Sequence, residues 1–128
     1  MKRLVLLLAV TLAVLAGTGC ANNALNAAPV DTDRVEMPKS YKFAPAVIRV
    51  KVGTTVTWHN DDNFTHSVQV VGSSDPPKVA QPGQSVQLTF DKPGEFNYIC
   101  TFHPNDMKGK VIVTGTSLAD ASADGASN

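Results

Sequence analysis

Four side chains able to hold a soft metal ion are divided between two stretches of the chain. Tyr98-Ile-Cys-Thr-Phe-His-Pro-Asn-Asp-Met107 carries a thiol at Cys100, an imidazole at His103 and a thioether at Met107, and a second imidazole, His66, stands upstream. Two imidazoles, one thiolate and one weakly donating thioether are the donor set of a mononuclear blue copper electron-transfer site. Zinc also accepts two His and one Cys, but a thioether is a poor fourth donor and no carboxylate is placed to replace it. A Cys100–His103 nucleophile pair is the other competing reading, and it lacks an orienting group and an oxyanion site. Four donors leave little open coordination for a substrate, so the chemistry is that of a carrier rather than an enzyme.

The elements that must position these donors alternate with period two. Ala46 to Val52 sets Ala46, Ile48, Val50 and Val52 on one face, and Arg49 and Lys51 on the other. Thr55 to Trp58, His66 to Val71, Ser85 to Phe90, Phe96 to Cys100 and Gly109 to Val113 read as further strands, with another near Arg34 to Met37. Gly53-Thr54 suits a hairpin between the Ala46 and Thr55 strands. Pro82-Gly83 and Asp91-Lys-Pro-Gly94 are turn signals. About seven short strands with no helical period predict an all-β, antiparallel Greek-key two-sheet sandwich over residues 34–114. Phe43, Trp58, Phe90, Phe96 and Tyr98 are the aromatic core candidates. Phe64, two residues before His66, is a candidate for the rim of the site, and Asp61, Asp62 and Asp106 read as solvated loop charges.

The ends have a different texture. Residues 1–20 read as an export signal: a basic Met1-Lys2-Arg3, an apolar run from Leu4 to Ala16, then Gly17-Thr18-Gly19-Cys20. That run is too short to span a bilayer, which takes about twenty residues. The end of the signal resembles a bacterial lipobox, with Gly17 where that pattern usually has Leu, and the resemblance implies a lipid on Cys20 that attaches the protein to a membrane. Ordinary cleavage after Ala21 or Ala24, giving a soluble secreted protein, is the alternative. Residues 21–33 read as a flexible tether and 115–128 as a disordered tail. Loss of the signal takes Lys2 and Arg3 from eleven basic residues, leaving nine against eleven acidic ones, with no basic field for nucleic acid. It also leaves Cys100 without a disulfide partner, and an unpaired Cys in an exported protein is better explained as a ligand.

Several separated blocks, in order, resemble the cupredoxins of the plastocyanin and amicyanin type. They are Phe43-x-Pro45-x-x-Ile48-x-Val50, Gly53-x-Thr55-Val56-x-Trp58-x-Asn60, His66 six residues after that Asn, and Tyr98-x-Cys100-Thr101-x-His103-Pro104 followed by Met107-x-Gly109. The resemblance implies one Cu(I)/Cu(II) ion on His66, Cys100, His103 and Met107, with Met107 as the axial ligand. Three residues separate His103 from Met107, where amicyanin-like chains have two and plastocyanins four. It further implies that Asn60 and Thr101 hydrogen-bond across the site, that His59 has no part in binding the metal, and that His103 is the exposed imidazole near which donor and acceptor redox proteins dock. The implied function is a monomeric, exported electron carrier, periplasmic or on the outer face of the cytoplasmic membrane. Copper binding for delivery is the rival, and such sites are usually rich in exposed Met and His, of which this chain has three each.

Overall fold

The computed structural model describes residues 24–116. The export segment with its lipobox-like Cys20, and all of the tail beyond residue 116, lie outside the described residues. Among the described residues nine strands follow a 3-10 turn at Ala24–Asn26: β1 (Val30–Asp31), β2 (Arg34–Met37), β3 (Val47–Lys51), β4 (Thr54–Asn60), β5 (His66–Val70), β6 (Lys78–Ala80), β7 (Ser85–Phe90), β8 (Gly94–Ile99) and β9 (Lys108–Thr114). They form two sheets, one in the order β1-β3-β9-β8-β5-β6 and the other β2-β4-β7. Among the described residues no helix is long and apolar enough to cross a membrane.

The two-sheet all-β architecture is the expected one, and its pairing is mixed. The β1–β3, β2–β4 and β3–β9 pairs are parallel and the others antiparallel. The hairpin expected between the Ala46 and Thr55 strands does not form. β3 pairs with β9 in one sheet and β4 with β7 in the other, so the turn at Gly53, with φ of 88°, carries the chain across the sandwich instead. Alternation reports which face of a strand is buried but not which strand lies beside it. Within the segment read as a tether, Val30 and Asp31 pair with Ile48 and Arg49.

The interior is built from alternate positions. Val56, Trp58 and Asn60 of β4 all face inward, so the same periodicity that buries two apolar side chains draws the Asn60 amide into the core. Four of the five aromatic core candidates are buried, and Phe96 packs against them from a partly exposed position. Tyr98 meets Phe43 at 4.8 Å and Trp58 at 5.2 Å, both edge to face. Contacts of this kind add about 0.5–1.5 kcal/mol each beyond area burial. They fix the end of β8 two residues before Cys100. Opposite, Gly109 of β9 is the register partner of Tyr98, and a Cβ there would overlap the phenol ring.

Candidate metal centre

The register of three adjacent strands brings the donors together. β5 and β8 are antiparallel with Gln69 opposite Ile99, and β8 and β9 are antiparallel with Ile99 opposite Lys108. Continued past the strand ends, the first register sets Ser67 opposite Thr101 and the second sets Cys100 opposite Met107. Side-chain and backbone bonds follow both continuations. The Cys100 N–H donates to the Met107 carbonyl at 3.1 Å, and the Ser67 and Thr101 hydroxyls lie 2.8 Å apart.

The loop between Cys100 and Met107 is two successive turns. His103 N–H donates to the Cys100 carbonyl at 3.2 Å, and the His103 carbonyl then accepts from both Asp106 N–H at 3.2 Å and Met107 N–H at 2.9 Å. The three-residue spacing after His103 is thereby taken up in a closed turn. Cys100 and Met107 are fully buried and belong to one apolar cluster, whereas His103 is partly exposed.

His66, Cys100 and His103 each offer a donor atom, and these atoms lie within 4.8 Å of one another. Cys100 Sγ is 3.8 Å from His66 Nδ1 and 3.8 Å from His103 Nδ1. Metal–sulfur and metal–nitrogen bonds of about 2.3 and 2.0 Å meeting near 120° would separate sulfur from nitrogen by about 3.7 Å. The spacing therefore fits a shared ion, and a soft thiolate with two imidazoles suits copper or zinc better than hard cations. A surface cleft whose lining includes Val70, Leu88, Phe90 and Phe96 contains none of these side chains.

Surrounding contacts orient the donors. His66 Nε2 lies 2.9 Å from Asp62 Oδ2, which directs Nδ1 toward the sulfur. The hydrogen bond from His66 holds the Asp62 carboxyl below its ordinary value; burial opposes this, and the Asn63 N–H assists it. Asp62 is 5% exposed, so it is not the solvated loop charge expected from its neighbours. The signal available in sequence was its place four residues before His66. Ser67 N–H points at Cys100 Sγ from 3.4 Å, a donor suited to a thiolate.

Asn60 does not bond Thr101. Its amide donates to the Phe64 and Ala80 carbonyls at 2.8 and 2.9 Å, while its oxygen accepts from Asp62 N–H at 2.9 Å, which fastens the loop that carries Asp62 and His66. Thr101 is instead bound by Ser67, whose hydroxyl also accepts from Thr101 N–H at 2.9 Å. The bridge across the site exists, with Ser67 as its upstream half. The register that creates it depends on tertiary pairing.

Tyr41 carried no sequence signal and lies on the site. Its ring centroid is 4.5 Å from that of His103 and 6.0 Å from that of Phe64, and its backbone has φ of 52°, a conformation unusual for a residue other than glycine. With Phe64 it makes an aromatic rim beside His103, and Phe102, the chain neighbour of His103, is like Phe64 more than half exposed.

Residues 4–113 match the family profile described as a cupredoxin-like domain. Amicyanin-alpha of Methylorubrum extorquens is 35% identical over 98 residues, which cover 73% of this chain and 81% of that protein. The chloroplastic plastocyanin of Tetradesmus obliquus is 35% identical over 83 residues, 56% of this chain and 57% of the relative. The crystal structure of amicyanin from Paracoccus versutus superposes with a TM-score of 0.58 at 30% identity, covering 68% of this chain and 85% of that one.

Proposed function

The chain belongs to the cupredoxin-like family, and from that premise we propose that His66, Cys100, His103 and Met107 hold one copper ion that carries single electrons between redox proteins outside the cytoplasm. The observation that carries this reading is the approach of two imidazole nitrogens to one buried sulfur, 3.8 Å on each side. When bound, copper supplies a Cu(I)/Cu(II) couple and so one electron per cycle.

The chain's own residues supply the rest. Asp62 accepts from His66 Nε2, leaving Nδ1 free to donate. Ser67 N–H stabilises negative charge on Cys100, and the buried Met107 thioether would be the weak fourth donor to the ion. His66 opens β5 and Cys100 directly follows β8, both with no exposure, so there is little freedom to rearrange between oxidation states. Electrons pass through partly exposed His103, and a partner docks over the aromatic rim of Tyr41, Phe64 and Phe102. Full enclosure of three donors, His66, Cys100 and Met107, favours an electron carrier over a delivery protein, which must release its ion to a recipient. The export signal supports a location outside the cytoplasmic membrane, with lipid on Cys20 as its anchor.

Loading the purified protein with Cu(II) tests the reading. The expected result is one copper per chain with an intense visible thiolate-to-copper band, abolished in Cys100→Ser. A colourless protein that binds only Cu(I) would favour delivery, and a preference for zinc would overturn the redox role.

A further inference from the structure

A second group of metal-ligating side chains lies on the other sheet. Glu36 of β2 and His59 of β4 are register partners, and Asp61, two residues beyond His59, shares its face by alternation. One potential donor atom from each lies within 4.8 Å of the other two. His59 Nδ1 is held by Ser85 Oγ at 2.8 Å, and its Nε2 lies 3.3 Å from Asp61 Oδ1. Arg34 Nε donates to Glu36 Oε1, which leaves the second carboxylate oxygen to be accounted for. Glu36 Oε2 is itself shielded from solvent and has no hydrogen-bond partner, although the side chain as a whole is 34% exposed. An enclosed carboxylate oxygen without a partner is unfavourable unless a donor or a cation satisfies it.

We propose that Glu36, His59 and Asp61 form a second cation site, for a borderline divalent ion such as zinc. One imidazole and two carboxylates, with no sulfur, suit such an ion and disfavour Cu(I). The two carboxylates exceed the single Arg34 charge beside them, so the group has negative charge to offer a cation. Arg34 and Ser85 hold the outer atoms of Glu36 and His59, the supporting contacts that ligands of a metal ordinarily have. Asp61 is 52% exposed on its side chain, which gives an ion an entry path. The site also shares a segment with the copper ligands. His59 and Asp61 face it, while Asn60 and Asp62, the alternate residues, face inward and fix the His66 loop.

The test uses the full chain already loaded with one copper, in the reduced state so that imidazole resonances remain visible. Zinc is added, and bound zinc and retained copper are counted after equilibrium dialysis. The expected result is one zinc per chain with copper retained and the His59 ring resonances shifted. His59→Gln and Glu36→Gln should each weaken zinc binding at least tenfold. The exposed Asp61→Asn serves as a third variant, and retention of the reoxidised visible band shows that each variant is folded. Absence of zinc beyond the copper, one-for-one displacement of copper, or zinc affinity unchanged in all three variants would overturn the proposal.

Discussion

Replacing Ser67 with Ala removes one hydroxyl and three contacts together. The hydroxyl lies 2.8 Å from Thr101 Oγ1, accepts from Thr101 N–H at 2.9 Å and reaches Cys100 Sγ at 3.8 Å. The last is too long to contribute much. A typical hydrogen bond contributes about 0.5–1.5 kcal/mol net, and leaving a buried partner unsatisfied costs about 1–3 kcal/mol. Thr101 is exposed as a residue, so water can reach it and the loss falls toward the lower end: about 1–2 kcal/mol for Ser67→Ala, and about 1 kcal/mol for Thr101→Val. Their coupling in a double-mutant cycle should be about 1 kcal/mol, because the hydroxyl–hydroxyl bond is lost in either single variant. Urea unfolding of the metal-free protein measures each corner without a contribution from copper. A parallel cycle between Asn60→Ala and Thr101→Val should show coupling near zero, since no hydrogen bond joins those residues. Strong Asn60–Thr101 coupling with none for Ser67–Thr101 would refute the register argument and restore the pairing implied by family resemblance.

Three further outcomes follow from the same packing. Gly109→Ala drives a methyl into the Tyr98 ring and should destabilise the fold by about 1–3 kcal/mol, as measured by urea midpoint, because the ring is wedged between Phe43 and Trp58. Burial raises the Tyr98 phenol well above its ordinary value, and Trp58 opposes the shift. The folded state therefore keeps a proton that the unfolded chain releases above about pH 10, and stability should fall there by up to about 1.4 kcal/mol per pH unit. Unfolding at stepped pH should show that slope in the native protein and a shallower one in Tyr98→Phe; equal slopes would remove Tyr98 as the cause. Phe102→Glu puts a charge on the aromatic rim and should slow bimolecular electron transfer with an uncharged or acidic partner by about an order of magnitude, leaving the visible band unchanged in stopped-flow measurements.

Much of the fold was legible because burial is periodic in strands. Thr54–Asn60 and Ser85–Phe90 announce themselves by alternation, and Arg34–Met37 was recoverable from four residues. The partners of each strand were not, because two strands joined by a two-residue turn look like a hairpin whether they pair or cross the sandwich. The turn at Gly53 has the positive φ that both arrangements tolerate, and only the pairing of β3 with β9 across some sixty residues settles the choice. β6 has no signature in the sequence because its three residues, Lys78–Ala80, are too few to establish a period.

The same division runs through the site. Cys100, His103 and Met107 were legible because thiol, imidazole and thioether are rare and their spacing is local. The residues that orient them are common types whose roles come from pairing. Asp62 sits among Asn60, Asp61 and Asn63, a composition that signals a solvated loop, yet inward-facing Asn60 accepts its N–H and turns its carboxylate toward His66. Ser67 acquires its bond to Thr101 only by the antiparallel register of β5 and β8. Tyr41 reaches His103 through a left-handed backbone conformation that its side chain does not favour intrinsically. One consequence concerns the spacing between His103 and Met107, which looked like the point of departure from related chains. Because the His103 carbonyl accepts two successive N–H groups and Cys100 N–H binds the Met107 carbonyl, the three intervening residues are held between fixed ends. The loop is therefore tied at both Cys100 and Met107, with His103 Nδ1 held 3.8 Å from the Cys100 sulfur.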